Sequence, residues 1–221
     1  MSDPPTREET LAGAAVYTPQ WLAEYDDAVL GDICRRVWGC DRSLMLDWYN
    51  QNIGARHVDL GPGTGYFLDK CRHRSPRTRI TLVDLNPSVL AEAAGRLRRF
   101  KPVTFERDVL APLDLGDERF DSAGLNFLLH CLPGGMAYKA RVLDHVRAYV
   151  VPGGWIFGST VLTDGVPHNP LASRLLDTLN EKGTFSNRND SLDGLRTELA
   201  ARFADYQLVV HGSVALFRVR G

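Results

Sequence analysis

Cysteine is scarce in this chain of 221 residues, and no two cysteines stand in C-x-x-C spacing. The pattern therefore signals neither a zinc site nor a thioredoxin-like redox motif. We expect reduced thiols and no bound metal, as is usual for a protein of the cytosol. The four cysteines are Cys34, Cys40, Cys71 and Cys131.

Long apolar runs and an excess of either charge are also missing. No stretch approaches the roughly 18 apolar residues of a membrane-spanning helix. Residues 1–10 are polar and lack the basic and apolar regions of a signal peptide. With 26 basic and 27 acidic residues the net charge is −1, which attracts neither nucleic acid nor an anionic membrane. We expect a cytoplasmic protein with neither partner.

What remains is an ordinary globular composition, with 44% hydrophobic and 24% charged residues. The length suits one domain with a full core. We expect a flexible tail over residues 1–15 and a single domain over residues 16–221. Within that domain, apolar residues recur at helical spacing over residues 16–54, and the core follows over residues 55–221.

The order of the core elements predicts an α/β fold. Short apolar strands alternate with helical patterns, which indicates a doubly wound, mostly parallel sheet. The chain then ends in two apolar runs that flank Gly212-Ser213, Tyr206–His211 and Val214–Val219. Such a pair predicts an antiparallel hairpin. The sheet should therefore contain one reversed strand.

One stretch carries most of the functional signal. A short strand ends in Asp59, and glycines at 61, 63 and 65 lead into a helix that begins near Tyr66. Glycine lets the backbone turn sharply and approach a ligand without a Cβ in the way. The next apolar strand ends in Asp84. In nucleoside-binding folds an acid about 20 residues after the glycine turn binds the ribose hydroxyls, and Asp84 has this spacing.

The glycine spacing distinguishes between nucleoside ligands. A dinucleotide fold uses G-x-G-x-x-G, but here the third glycine, Gly65, comes one position early and Tyr66 takes its place. A carboxylate at Asp59 would repel a pyrophosphate, whereas it suits an ammonium or sulfonium group. The pattern thus disfavours a nicotinamide-dependent oxidoreductase.

The pattern D-x-G-x-G-x-G resembles motif I of the class I S-adenosylmethionine-dependent methyltransferases. Further segments resemble that family in the same order along the chain. Asp84 resembles the family's ribose-binding acid, and Asp108 resembles its adenine-binding acid. Phe120–His130 resembles the fourth strand and active-site lip, and Pro152–Phe157 resembles the turn into the fifth strand. The resemblance implies the family's Rossmann-like sheet of seven strands. It also implies that the N-terminal helices form a lid.

The resemblance implies S-adenosylmethionine as co-substrate, and it assigns a set of binding residues. A lid tyrosine would reach the methionine carboxylate, and Asn126 would bond the methionine end or the acceptor. Alternative roles stay open for several of these residues. Asp59 and Asp108 could be acids that cap turns, and the lid tyrosines could pack in the core. The set is Tyr17, Tyr25, Asp59, Gly61, Pro62, Gly63, Gly65, Asp84, Leu85, Asp108, Val109 and Asn126.

His130 is the candidate catalytic base. It follows the fourth strand, where the family places groups that face the methyl acceptor, and the ordinary pKa of histidine, near 6.5, suits proton abstraction. A histidine that packs in the following loop fits the sequence equally well.

The resulting hypothesis is in-line methyl transfer to a small molecule of secondary metabolism. The compact chain, its balanced charge and the lack of a nucleic-acid-binding module favour a small acceptor. A binding protein of the same fold without methyl transfer, serving as a non-catalytic partner, is the alternative. The sequence neither requires nor excludes a homodimer through the terminal hairpin or the N-terminal helix.

Overall fold

The computed structural model describes residues 5–221. A single sheet of seven strands runs through the described part of the chain. The strands are β1 Arg56–Leu60, β2 Arg79–Asp84, β3 Val103–Glu106, β4 Phe120–Asn126, β5 Val150–Val161, β6 Tyr206–His211 and β7 Val214–Arg220.

The strand order is β3-β2-β1-β4-β5-β7-β6. The pairs among β1 to β5 are parallel, whereas β7 is antiparallel to both β5 and β6. The expected doubly wound sheet with one reversed strand and a terminal hairpin is therefore confirmed. The order reverses between β1 and β4, and ligands of such sheets bind in the crevice at the carboxyl ends of the strands beside that point.

Helices cover both faces of the sheet, and each face has its own apolar core. The alternation of side chains along a strand explains the division: Val58 and Leu60 enter one core, while His57 and Asp59 point to the opposite side, near Tyr49. The helices are α1 Arg7–Ala15, α2 Pro19–Tyr25, α3 Cys34–Arg36, α4 Arg42–Asn52, α5 Tyr66–Lys70, α6 Pro87–Arg96, α7 Met136–Lys139, α8 Arg141–Arg147, α9 Pro170–Glu181 and α10 Leu192–Arg202.

The N-terminal segment differs from the flexible tail that we expected over residues 1–15. Residues 1–4 lie outside the described part of the chain, but α1 occupies much of the rest. A capping box explains its start, because Thr6 accepts from the backbone N–H of Glu9 while the Glu9 carboxylate accepts from that of Thr6. The helix has no buried residue. A hydrogen bond near its C-terminal end attaches it instead, because the side-chain amide of Asn86 donates to the carbonyl of Ala14 at 2.8 Å.

The segment that follows α2 is helical as expected, but its geometry changes. Residues Asp26–Ile33 form a π-helix, which joins α2 to α3. The Asp26 carboxylate accepts from the Thr64 hydroxyl at 2.6 Å and pairs with Arg96 at 2.6 Å. These bonds hold the N-terminal helices over the carboxyl ends of the strands. Among the described residues, no helix is long and apolar enough to cross a membrane.

Candidate functional site

A cleft opens beside the point where the strand order reverses, and it encloses about 970 Å³ including its open mouth. All but two of the expected cofactor-binding residues line it. The two exceptions are Asp59 and Gly65. The expected residues that line the cleft are Tyr17, Tyr25, Gly61, Pro62, Gly63, Asp84, Leu85, Asp108, Val109 and Asn126.

The glycine loop shapes the floor of this cleft. Gly61, Gly63 and Gly65 all have positive φ, at 67°, 55° and 74°, a region that other L-residues enter at a cost of about 1–2 kcal/mol. A Cβ on Gly63 would meet nothing within 4 Å, whereas one on Gly61 would lie 2.9 Å from Leu128 Cδ1. Gly65 packs on Ala93 instead. Its role is thus the close packing of α5 on α6.

Asp84 lies half-buried in the cleft, at the end of β2. Its Oδ1 accepts from the backbone N–H of Asn86 at 2.8 Å. Burial raises the pKa of the Asp84 carboxyl to about 7, against the smaller lowering by hydrogen bonds from the backbone of Asn86 and Leu85. A ligand that donates hydrogen bonds would therefore find a strong acceptor here once the proton leaves.

Asp59 does not reach the cleft directly. Its Oδ2 accepts from Tyr49 Oη at 2.8 Å and lies 3.1 Å from His57 Nε2. Because a carboxylate only accepts, Nε2 donates to Asp59, and Nδ1 lies 2.7 Å from Ser122 Oγ. Among residues 5–221, Oδ1 of Asp59 is buried without a hydrogen-bond partner. Tyr49 lines the cleft, so Asp59 contacts a lining residue without reaching the cleft itself. Tyr49 is a residue that sequence reasoning missed.

Asp108, which follows β3, and Asn126, which ends β4, both line the cleft and also form hydrogen bonds within the protein. Oδ1 of Asp108 accepts from the backbone N–H of Leu110 at 2.9 Å, so it is a turn acid that also faces the cleft. Oδ1 of Asn126 accepts from Ser159 Oγ at 2.5 Å. The amide of Asn126 is therefore fixed in place before any ligand binds.

The two lid tyrosines close the cleft from the N-terminal side. Tyr17 Oη lies 3.2 Å from the Cys131 thiol, and its ring is 6.2 Å from that of Tyr25. Burial raises the pKa of both hydroxyls. The side-chain amide of Asn86 donates to the carbonyls of Ala14 at 2.8 Å and Tyr17 at 3.0 Å. Both tyrosines line the cleft, and Tyr25 also packs against one of the two apolar cores.

Comparison with known proteins identifies the fold and the chemistry. A family model described as a methyltransferase domain matches residues 58–156. A demethylluteothin O-methyltransferase from Streptomyces thioluteus is 40% identical over 211 residues, 96% of this chain and 92% of that protein. The chain belongs to the class I S-adenosylmethionine-dependent methyltransferases. It is an enzyme of the small-molecule type.

One further relative and one solved structure match this methyltransferase along almost its whole length. A physcion biosynthesis cluster O-methyltransferase from Aspergillus chevalieri is 36% identical over 217 residues, 97% of each chain. The solved structure of a DhpI–SAH complex has a TM-score of 0.67 at 18% identity and covers 98% of each chain. At that identity the structure supports the fold alone.

The residues of the cleft fit S-adenosylmethionine. The backbone at Gly63 borders open space that a Cβ would enter, and the carboxylate of Asp84 lies in the same cleft. Behind Tyr49, Oδ1 of Asp59 adds a buried carboxyl oxygen that has no partner within the part of the chain that the structure describes. A glycine cradle with acids around it suits a ligand that carries hydroxyls and positive charge.

The methyltransferase does not bring His130 to the cleft. His130 is only 3% exposed, and its Nδ1 lies 3.2 Å from the backbone N–H of Val161, which donates to it. The ring packs between Phe127 and Phe185, with centroids 5.4 and 4.2 Å away. Burial, and then the nearby charge of Lys139, lower the pKa of His130 to about 3. These contacts correspond to the packing alternative and correct the expectation of a general base.

Phe127 is a second residue that the sequence did not single out. It follows β4 directly, lines the cleft, and has a φ of +56°, which is rare for a bulky residue. No sequence signal marks such a conformation when the residue is not glycine or asparagine.

Proposed function

We propose that the cleft binds S-adenosylmethionine and that the acceptor atom is a hydroxyl oxygen of a flat small molecule of secondary metabolism. Asp84 would accept from the ribose hydroxyls and Asp108 from the adenine amino group. The backbone at Gly61 and Gly63 would approach the methionine part. One observation carries the binding proposal: the open side of Gly63 and the carboxylate of Asp84 belong to one cleft.

The names of two relatives support an oxygen acceptor, and the lining of the cleft restricts it to an acidic hydroxyl. The relatives from Streptomyces thioluteus and Aspergillus chevalieri are both called O-methyltransferases. In addition, no histidine or lysine is among the described residues that line the cleft. An acceptor with an acidic hydroxyl, such as a phenol or an enol conjugated to a carbonyl, ionises without a strong base.

The chain's own residues then orient the reactants and exclude water. S-adenosylmethionine supplies an activated methyl group when it is bound. Tyr17 and Cys131 close the cleft with groups that stay neutral, because burial raises the pKa of both, that of Cys131 to about 11. Alignment of two reactants in a dry cleft supplies most of the acceleration that such a transfer needs.

A matched pair of glycine substitutions tests the binding site. Gly63 and Gly183 share a positive φ and open space around the missing Cβ, but Gly183 lies after α9, away from the cleft. Gly63→Ala and Gly183→Ala should therefore lose similar stability. Calorimetry with S-adenosylhomocysteine should show at least about tenfold weaker binding for Gly63→Ala only. Equal affinities in both variants would contradict the site, and wild-type binding of NAD instead would contradict the ligand.

A panel of acceptors tests the oxygen specificity. Flat phenols and cyclic enols would be offered with S-adenosylmethionine, together with amines and thiols of the same size. The hydroxyl pKa values would extend from well below to near that of tyrosine, about 10. We expect methylation of the acidic hydroxyls, detected by mass spectrometry. Turnover of amines or thiols alone would contradict an oxygen acceptor.

The remaining expectations stay predictions. They are a cytoplasmic location, the lack of nucleic-acid and membrane partners, and the choice between monomer and homodimer. Light scattering on the purified chain would determine the oligomeric state.

A further inference from the structure

We propose that Phe127 selects flat, conjugated acceptors by holding its ring against the acceptor inside the cleft. This inference rests on the proposed function, because it defines the class of molecule that the same site takes. Nothing in the sequence pattern around Phe127 distinguishes it from an ordinary residue at a strand end.

The backbone at Phe127 brings three consecutive residues to the cleft. Successive side chains of a strand point to opposite faces, so a continued β4 would turn Phe127 away from Asn126 and Leu128. The φ of +56° at Phe127 breaks this alternation. Asn126, Phe127 and Leu128 consequently all line the cleft.

Glycine would suit this backbone better than phenylalanine. Left-handed conformations are costly for bulky residues, and they persist where surrounding structure holds them, often at functional sites. Here the backbone N–H of Phe127 donates to the carbonyl of Ser159 at 2.9 Å. That bond extends the pairing of β4 with β5 by one residue. The strained turn therefore keeps an aromatic ring at a position where the backbone alone favours none.

Neighbouring rings fix the orientation of Phe127. The ring of His130 meets it at 74° with centroids 5.4 Å apart, and Phe185 supports His130 from behind at 4.2 Å. Edge-to-face pairs of this kind are favourable. His130 is thus a positioning residue, because it holds the ring of Phe127 rather than removing a proton.

Aromatic and apolar residues share the cleft with Phe127. They include Tyr17, Tyr25, Leu132 and Pro133. The charged lining residues are Asp84, which ends β2, and Arg107 and Asp108, which follow β3. An apolar lining with a fixed ring suits a flat conjugated molecule, because stacking adds to the burial of its faces.

Four substitutions separate the ring from the backbone. Phe127→Leu keeps an apolar side chain without a ring, and Phe127→Tyr keeps the ring. Phe127→Gly and Phe127→Ala both remove the side chain, but only glycine relieves the left-handed backbone. Calorimetry on the protein saturated with S-adenosylhomocysteine would measure binding of a flat phenol and of its ring-saturated alcohol analogue. Initial rates with the phenol and S-adenosylmethionine would accompany the binding data.

The wild-type protein should bind the flat phenol more tightly than the saturated analogue. Phe127→Tyr should keep this preference, and Phe127→Leu should lose it, with about 10- to 100-fold lower affinity for the phenol. Affinity for S-adenosylhomocysteine should stay within about twofold in both. Phe127→Gly should lose the preference yet melt at a higher temperature than Phe127→Ala.

Two results would overturn the proposal for Phe127: a wild-type protein without a preference for the flat ring, or a preference that Phe127→Leu retains. A protein that binds flat rings but methylates only amines or thiols would instead overturn the oxygen acceptor. Failure to bind S-adenosylhomocysteine would overturn the cofactor site. The binding measurement needs no turnover, so the outcomes are distinguishable.

Discussion

The ammonium of Lys139 lies 2.6 Å from Oδ2 of Asp190, and neither side chain is accessible to solvent. Lys139 also donates to the carbonyl of Ser186 at 2.6 Å, and the backbone N–H of Ser186 donates to the carbonyl of His130 at 2.8 Å. The pair therefore fixes the loop after α9 against the turn that carries His130 and, through it, Phe127.

Removing one partner of this pair should destabilise the protein strongly. Lys139→Met or Asp190→Leu leaves a buried charge without a counter-charge, which costs about 3–5 kcal/mol of unfolding free energy. The double variant should recover much of that loss. Urea denaturation measures all three. The exposed pair of Arg188 and Asp177, 3.9 Å apart, is the control, and Arg188→Ala should change stability little. Losses that simply add in the double variant would contradict the coupling.

The raised pKa of Asp84 predicts that cofactor affinity depends on pH. In the ligand-free protein this carboxyl keeps its proton up to about pH 7, whereas ribose hydroxyls need the carboxylate as acceptor. Affinity for S-adenosylhomocysteine should therefore rise by up to about tenfold per pH unit between pH 5.5 and about 7. Above pH 7 the affinity should level off. Calorimetry in buffers of different ionisation heat would detect the released proton.

Asp84→Asn is the matched variant for this measurement. It should bind more weakly at high pH and show no rise across the same window. For free protein the sign is opposite: the folded pKa of Asp84 exceeds the unfolded value of about 3.9, so its contribution to stability declines as the pH rises from about 4 to 7. A wild-type affinity that does not change between pH 5.5 and 8 would contradict the role of Asp84.

His130 should contribute to stability and not to the pH dependence of turnover. His130→Leu leaves the backbone N–H of Val161 without its acceptor, at a cost of about 1–3 kcal/mol. His130→Asn can keep an acceptor and should lose less. The pH profile of kcat should keep its shape in any variant that folds, since the pKa of His130, about 3, lies below the working range. Loss of the acidic limb, the fall of kcat at low pH where a general base becomes protonated, would restore the general-base hypothesis.

Asn86 should hold the lid. Its side-chain amide donates to the carbonyls of Ala14 and Tyr17, at and just after the end of α1. Its Oδ1 caps α6, because it accepts from the backbone N–H of Ser88. Asn86→Ser keeps a capping oxygen but removes both donors to the lid. Hydrogen exchange over residues 6–18 should accelerate in Asn86→Ser while exchange in α6 stays close to the wild type.

The matching control for the lid is Ser88→Ala, which leaves the Asn86 amide and its bonds intact. Unchanged exchange over residues 6–18 in Asn86→Ser would show that other contacts hold α1.

Much of the fold could be predicted from the sequence, because hydrophobic periodicity and the positions of glycines determine it. Asp84, Gly61 and Gly63 could be predicted, since an apolar strand that ends in an acid or a glycine turn is a local pattern. Tyr49 and Phe127 could not, because their roles depend on which elements pack together and on one unusual dihedral angle. The capping box of Thr6 and Glu9 was present in the sequence, and it is the signal that would have replaced the expected tail with α1.

His130 shows most clearly where prediction of a site residue from local sequence fails. Its place after β4 is correct, but burial among Phe127, Phe185 and Val161 depends on a loop more than 50 residues later in the chain. A lone histidine pattern carries no information about that loop.

The reversed strand β7 lies between β5 and β6 in the sheet, although both precede it in the chain. During synthesis the ribosome therefore delivers β6 before the strand that joins it to the rest. Until residues 214–220 emerge, the flank of β5 is an unsatisfied edge, a state that favours aggregation. Nascent-chain stalling before residue 214 should thus yield a species that chaperones capture, and release of the last strand should end that capture.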